Sequence, residues 1–148
     1  MLDLRKNKLT SCKGICNMPQ LEQLLLGENE IADTDDLDGL PKLKKLDLNT
    51  NKLTHLKSLP RLESIQEIDV ATNAIASADN ISALAKYPTL VKFNGAANPM
   101  TEELADKFKQ EVLFRLYPGV KLRFLGEEEI VEDDITQWKA ERKERLKA

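Results

Sequence analysis

The stretch Leu43-Lys-Lys-Leu-Asp-Leu-Asn-Thr-Asn-Lys-Leu53 sets the frame of the whole chain. It reads apolar, two polar, apolar, any, apolar, two more, Asn, any, apolar. The same frame recurs from Leu21 to Ile31, from Ile65 to Ile75 and from Leu90 to Met100, and a fragment opens the chain as Leu2, Leu4, Asn7 and Leu9. The asparagines fall at Asn7, Asn29, Asn51, Asn73 and Asn98, in steps of 22, 22, 22 and 25. A fixed period in the twenties marks a solenoid, in which each unit buries its apolar edge only by stacking on its neighbours.

Within a unit, Leu46 and Leu48 alternate with polar residues, the period of a strand with one buried face. Stacked units then make a short parallel sheet. The structural asparagines Asn29, Asn51, Asn73 and Asn98 follow the strands, where the chain turns away and leaves backbone groups unpaired. An amide side chain carries both donors and an acceptor, so a column of them satisfies those groups from one turn to the next. Beyond the asparagine, apolar residues recur at steps of about three, as at Leu53, Leu56, Leu59 and Leu62, which predicts 3₁₀ or irregular turns on a wider, convex side. The fold expected is an α/β solenoid with parallel strands on its concave face. Residues 1–100 form the repeats, the first of them incomplete, 101–126 a C-terminal helical cap, and 127–148 a charged tail helix.

A chain of 148 residues supports one such domain, and its net charge of −3 and pI near 5.3 give no general basic field for nucleic acid. No apolar run is long enough to cross a bilayer, and Met1-Leu-Asp-Leu-Arg-Lys is not a signal peptide, so a soluble, cytoplasmic protein is expected. The first repeat begins in mid-frame, which predicts further repeats or a partner over that end. Cys12 falls at the core position that Leu56 holds in its own repeat. With Cys16 and the lone His55 it does not make four converging ligands, so a buried reduced thiol is expected rather than a metal site.

The fourth repeat is longer, and Ile81 to Pro88 predict a helical turn on the convex side ended by the proline. Thr101 is a candidate N-cap for a helix running to about Leu116, with Glu102 and Glu103 in its first turn and Leu104, Phe108, Val112 and Leu116 on one stripe. Tyr117-Pro118-Gly119 ends it. The tail is acidic from Glu127 to Asp134 and basic from Lys139 to Lys147, which suits a helix dipole from about Glu132 onward. Val131, Ile135, Trp138 and Leu146 give it a narrow apolar seam. Two readings follow: Ile135, Trp138 and Arg142 dock on a partner, with Trp138 as anchor, or Trp138 folds back on the cap.

Residues between the strand leucines point to the concave side in columns. One is Asp3, Leu25, Asp47, Asp69 and Asn94; the next is Arg5, Gly27, Asn49, Ala71 and Ala96; a third is Gln23, Lys45, Glu67 and Lys92. The mostly small second column lets a partner approach closely, and the acidic one favours a basic or polar partner face. Leu25 is the apolar contact point of that column. The expected partner-binding residues are therefore Gln23, Leu25, Lys45, Asp47, Asn49, Glu67, Asp69, Lys92 and Asn94. No aromatic stands in these columns.

No Gly-rich phosphate loop and no Cys-His constellation is present, so no enzyme activity, cofactor, metal or small-molecule substrate is expected. The repeat frame, with Asn98-Pro99 and the Phe108-to-Pro118 segment after it, resembles the short, 22-residue leucine-rich repeat class and its C-terminal cap. There Tyr-Arg commonly stands in place of Phe108-Lys109, and a Leu-Asp pair follows the proline, for which Val120 to Gly126 has no counterpart Asp. The resemblance implies a binding module. Its relatives include regulatory subunits of the type-one phosphatase, leucine-rich light chains of axonemal dynein and spliceosomal leucine-rich subunits. The acidic run leading into a charged helix, Glu127 to Leu146, is similar to the radial-spoke type, the family of leucine-rich repeat-containing protein 23. That implies a structural scaffold of a ciliary or flagellar axoneme, with protein partners in a large assembly and no direct contact to nucleic acid or membrane. A phosphatase regulator is the alternative, and a spliceosomal ribonucleoprotein subunit ranks third.

Overall fold

The structure is a computed structural model that describes residues 1–147. Seven short strands make one sheet in the order of the sequence: β1 Leu2–Asp3, β2 Gln23–Leu25, β3 Lys45–Asp47, β4 Glu67–Asp69, β5 Lys92–Asn94, β6 Phe124–Leu125 and β7 Glu128–Glu129. Pairing is parallel as far as β6, and β7 folds back antiparallel. The register is that of the repeat frame: Leu24, Leu46, Ile68 and Phe93 lie side by side, all fully buried. Leu53, Leu56, Leu59 and Leu62 close the same core from the convex side.

The asparagine column forms as its chemistry requires. The Asn51 amide donates to the carbonyls of Leu26 (3.0 Å), Leu48 (3.0 Å) and Asn49 (3.2 Å), and its oxygen accepts the Ile31 N–H at 3.0 Å. Asn29, one coil before, and Asn73 and Asn98, one and two coils after, repeat the arrangement. Asn7 keeps only the bonds within its own coil, to the carbonyls of Leu4 and Arg5. Just ahead of each asparagine stands a residue in the left-handed region: Lys6, Glu28, Thr50, Thr72 and Ala97, with φ between 53° and 58°. That conformation is unfavourable for side chains with a Cβ, and the four-bonded amide that follows each of Glu28, Thr50, Thr72 and Ala97 holds it in place.

On the convex side the longer repeat carries a 3₁₀ helix, Ala78–Lys86, whose N-cap Ser77 accepts the Asp79 N–H and which ends before Pro88. Tyr87 is buried there and donates its hydroxyl to the Pro60 carbonyl at 2.6 Å. Cys12 is a core residue, 1% exposed, with its thiol pushed by burial up to about 12. Cys16 is half-buried, and both are free.

The cap departs from expectation at its start. Helix α1, Pro99–Leu104, begins earlier, with Asn98 as N-cap and Pro99 at the first turn, and Thr101 lies inside it. The Thr101 hydroxyl instead donates to the Gly95 carbonyl, which ties the first turn to the end of β5. A break at Ala105 (φ 46°) and a 3₁₀ turn, Ala105–Lys107, separate α1 from α2, Phe108–Leu116. Phe108, Val112 and Leu116 are buried as their stripe predicts, with Leu104 half-buried. Gly95 stands where other repeats have Leu or Val, because the rings of Phe93 and Phe108 take that space: a Cβ there would lie 2.9 Å from one and 3.3 Å from the other. The tail helix, α3, runs over Glu132–Lys147. Among the described residues, no helix is long and apolar enough to cross a membrane.

Candidate protein interface on the concave sheet face

The three columns become rows across the sheet at strand spacing. In the outermost, Gln23, Lys45, Glu67 and Lys92 stand in register, and the Lys92–Phe124 pairing extends the row onto β6. Its charges pair among themselves: Lys45–Glu67 at 3.4 Å, Lys92–Glu67 at 3.9 Å and Lys92–Glu127 at 3.1 Å. Beside it Lys44 meets Glu22 at 3.1 Å. These residues, with Val91 and Phe124, line an open groove of about 700 Å³. The concave face therefore does have an aromatic, contributed by the cap and so invisible in the repeat columns.

The second row is less exposed than the strand period predicts. Leu25 is 7% and Asp47 8% exposed, so neither is the free contact point expected. Concave curvature draws neighbouring rows together, and Leu25 stands in register between Asp3 and Asp47. The polar members of this row have a backbone task. Asp3, Asp47, Asp69 and Asn94 each accept the N–H of the residue two further on: Arg5, Asn49, Ala71 and Ala96. Such turns satisfy the first donor after each strand. The Asp-x-x pattern at the same frame position was the available signal.

Arg5 is held by Asp3 at 2.7 Å, and that guanidinium holds the Asp3 carboxyl down at about 2. The Asn49 amide donates to Asp47 and lies over Gly27, where a Cβ would come within 2.7 Å of its Nδ2. The lane of small residues is thus filled at its middle and open at Ala71 and Ala96. Asp69 differs from the other acids of the face. It is half-buried, its second oxygen has only a 3.5 Å contact from the Asn94 amide, and no cation of the described residues lies within 4 Å. Burial pushes its carboxyl up, and the charges of Asp47 and Glu67 add to the shift. Among the described residues no group of His, Cys, Asp and Glu is arranged to hold a metal.

The tail takes the second of its two readings. Trp138 is 4% exposed and meets Tyr117 edge-on with ring centroids 4.6 Å apart, so it is not a free anchor for a partner. The Arg142 guanidinium covers the outer side of the indole at 5.4 Å, and Ile135 is half-buried. Lys109 joins α2 to both Glu128 and Asp134, and Arg145 bonds Glu111 at 3.2 Å while lying over the Phe114 ring. The buried middle of the seam is thus spent on the cap. Val131 and Leu146 remain exposed.

A parallel-strand solenoid with a buried asparagine column, an open concave face and a helical cap is the leucine-rich repeat fold. Residues 19–61 match the family profile described as Leucine Rich repeats (2 copies). Over 93% of its length the chain is similar to a chain of the crystal structure of the Drosophila melanogaster SNF/U2A' complex, covering 85% of that chain, with a TM-score of 0.69 and 20% identity. At that identity the likeness is one of fold. No curated protein sequence matches the chain.

Proposed function

We propose that the chain is a non-catalytic scaffold that holds a partner protein on its concave sheet face within a larger assembly. The observation that carries this reading is the groove itself, an open surface spanning β2 to β6 whose lysines are already paired with its glutamates. A shallow face of this breadth suits a polypeptide rather than a small molecule. Its lysines are not free for phosphates, which argues against direct binding of nucleic acid.

In its finer form the reading is a structural component of a ciliary or flagellar axonemal complex. The acidic run and charged helix from Glu127 to Leu146 support it by their resemblance to the radial-spoke type. The test is purification of the tagged chain from ciliated cells with cross-linking at Lys45 and Lys92 in the groove and Lys139 on the tail. Links from the groove to spoke or dynein proteins are the expected result. A chain confined to the nucleus, or following a phosphatase, overturns the axonemal form.

A ribonucleoprotein subunit bound to a protein partner is the second reading, favoured by the likeness to a chain of the SNF/U2A' complex. The same experiment separates the two, since that reading expects groove links to splicing proteins.

A further inference from the structure

Beside the groove stands a half-buried carboxylate, Asp69, that has hydrogen-bond donors but no lysine or arginine of the described residues within 4 Å. Glu22, Glu67 and Glu127 each have a lysine within 4 Å, and Asp47 is buried under the Asn49 amide. Asp69 opens into a recess of about 140 Å³ bounded by Lys45, Asp47, Glu67, Lys92, Asn94 and Glu127, where two lysines face four carboxylates. The recess is anionic, and its volume suits the end of one side chain rather than a length of backbone. Further along the sheet, Val91 just before β5 and Phe124 on β6, two strands from Asp69, line the apolar end of the same groove. Strand spacing and rise put Asp69 and Phe124 about 12 Å apart.

Building on the scaffold reading, we propose that the groove recognises a partner segment carrying a basic side chain, which enters the recess at Asp69, and an apolar side chain about 12 Å away, which packs on Phe124 and Val91. A lysine or arginine there replaces water around a half-buried carboxylate with a charged hydrogen bond. The aromatic end supplies the anchor that a self-paired charged face lacks. Acidic segments are rejected by the surplus of carboxylates, which gives the face its selectivity.

The test uses the full chain and a defined set of synthetic peptides, each with one Lys or Arg and one Leu or Phe at varied separations in a Ser/Ala background. Matched peptides carry Gln or Glu for the base, or Ser for the apolar residue, and binding is read by fluorescence anisotropy. Binding is expected to be tightest when both groups are present, and weaker but measurable when either is replaced. Asp69→Asn should weaken it at least tenfold, yet change binding of the Gln-for-base peptide less than twofold. Phe124→Ser, with Phe124→Leu as a milder variant should the first unfold, should weaken binding of peptides with the apolar residue and leave Ser-substituted ones unchanged. Lys57→Ala, exposed among the convex-side leucines, should change nothing. Binding that ignores Asp69→Asn or the peptide's base overturns this inference; if such peptides still depend on groove residues, the scaffold reading stands. Failure of every peptide to bind the groove counts against both.

Discussion

Removing one rung from the middle of the asparagine column should cost far more than removing the same residue from its first position. The Asn73 oxygen accepts the Leu53 N–H at 3.0 Å, and its amide donates to the carbonyls of Leu48 (3.1 Å), Val70 (2.9 Å) and Ala71 (3.1 Å). In Asn73→Ala the three carbonyls each keep another donor: Asn51 Nδ2 on Leu48, Asn98 Nδ2 on Val70 and the Thr50 N–H on Ala71. The Leu53 N–H keeps none, and Leu53 is 1% exposed. One orphaned donor costs about 1–3 kcal/mol and the weakened carbonyls a few tenths each, so about 3 kcal/mol is expected. Asn7 is exposed with two local bonds, and Asn7→Ala should cost below about 1 kcal/mol. Asn73→Asp is the sharper variant, because it keeps the acceptor for Leu53 but aims a carboxylate oxygen at three carbonyls. It should be less stable than Asn73→Ala. Urea unfolding followed by far-ultraviolet circular dichroism and by Trp138 fluorescence measures all three, and coincidence of the two signals checks that the repeats and cap unfold together. Equal losses for Asn7→Ala and Asn73→Ala, or an Asp variant as stable as the Ala variant, would refute the reasoning.

Three further outcomes are expected. Gly39→Ala should lower stability by about 2–4 kcal/mol in a thermal melt, since its φ is +64° and a Cβ would come within 2.9 Å of the Asn17 backbone. Trp138→Ala should release α3, so that hydrogen exchange rises across Glu132–Lys147 while β2 to β5 stay protected. Asp69→Asn should raise the unfolding midpoint at pH 7: a carboxyl raised by burial favours the folded state at low pH and loses that contribution as pH rises through its folded value. The gain should therefore shrink as the pH falls to the ordinary aspartate value of 3.8, and a gain independent of pH would sink the assignment.

The repeat was legible because every coil must solve the same problem with the same residue. A strand end leaves the same donors and acceptors unpaired each time, so asparagine returns at a fixed step, and the leucines before it fix the strand register. The left-handed residues were not legible, since Lys6, Glu28, Thr50, Thr72 and Ala97 share no residue type. Their conformation comes from the neighbouring asparagine, not from their own preference. The helix start misled for a related reason. Thr101 has the chemistry of an N-cap, but its hydroxyl goes to the Gly95 carbonyl across the strand end, and Pro99 sets the first turn two residues earlier.

The concave rows could be assigned by period, but their exposure could not. Burial of Leu25 and Asp47 depends on how closely curved rows approach, a property of the stack rather than of one repeat. Phe124 escaped because it lies outside the repeat frame, although it alternates with Leu125, which pairs with buried Phe93 and packs on the core, and so points to the opposite side. Its place gives the cap a second task. The β6–β7 hairpin lends Phe124 and Glu127 to the groove, while Glu128 on its return strand and Asp134 in α3 grip Lys109 of α2. The segment that closes the core thus also completes the concave groove. Loosening α3 therefore acts first on the aromatic end of the groove through residues 124–134, and reaches the Asp69 end, whose other walls come from the repeats, only through Glu127.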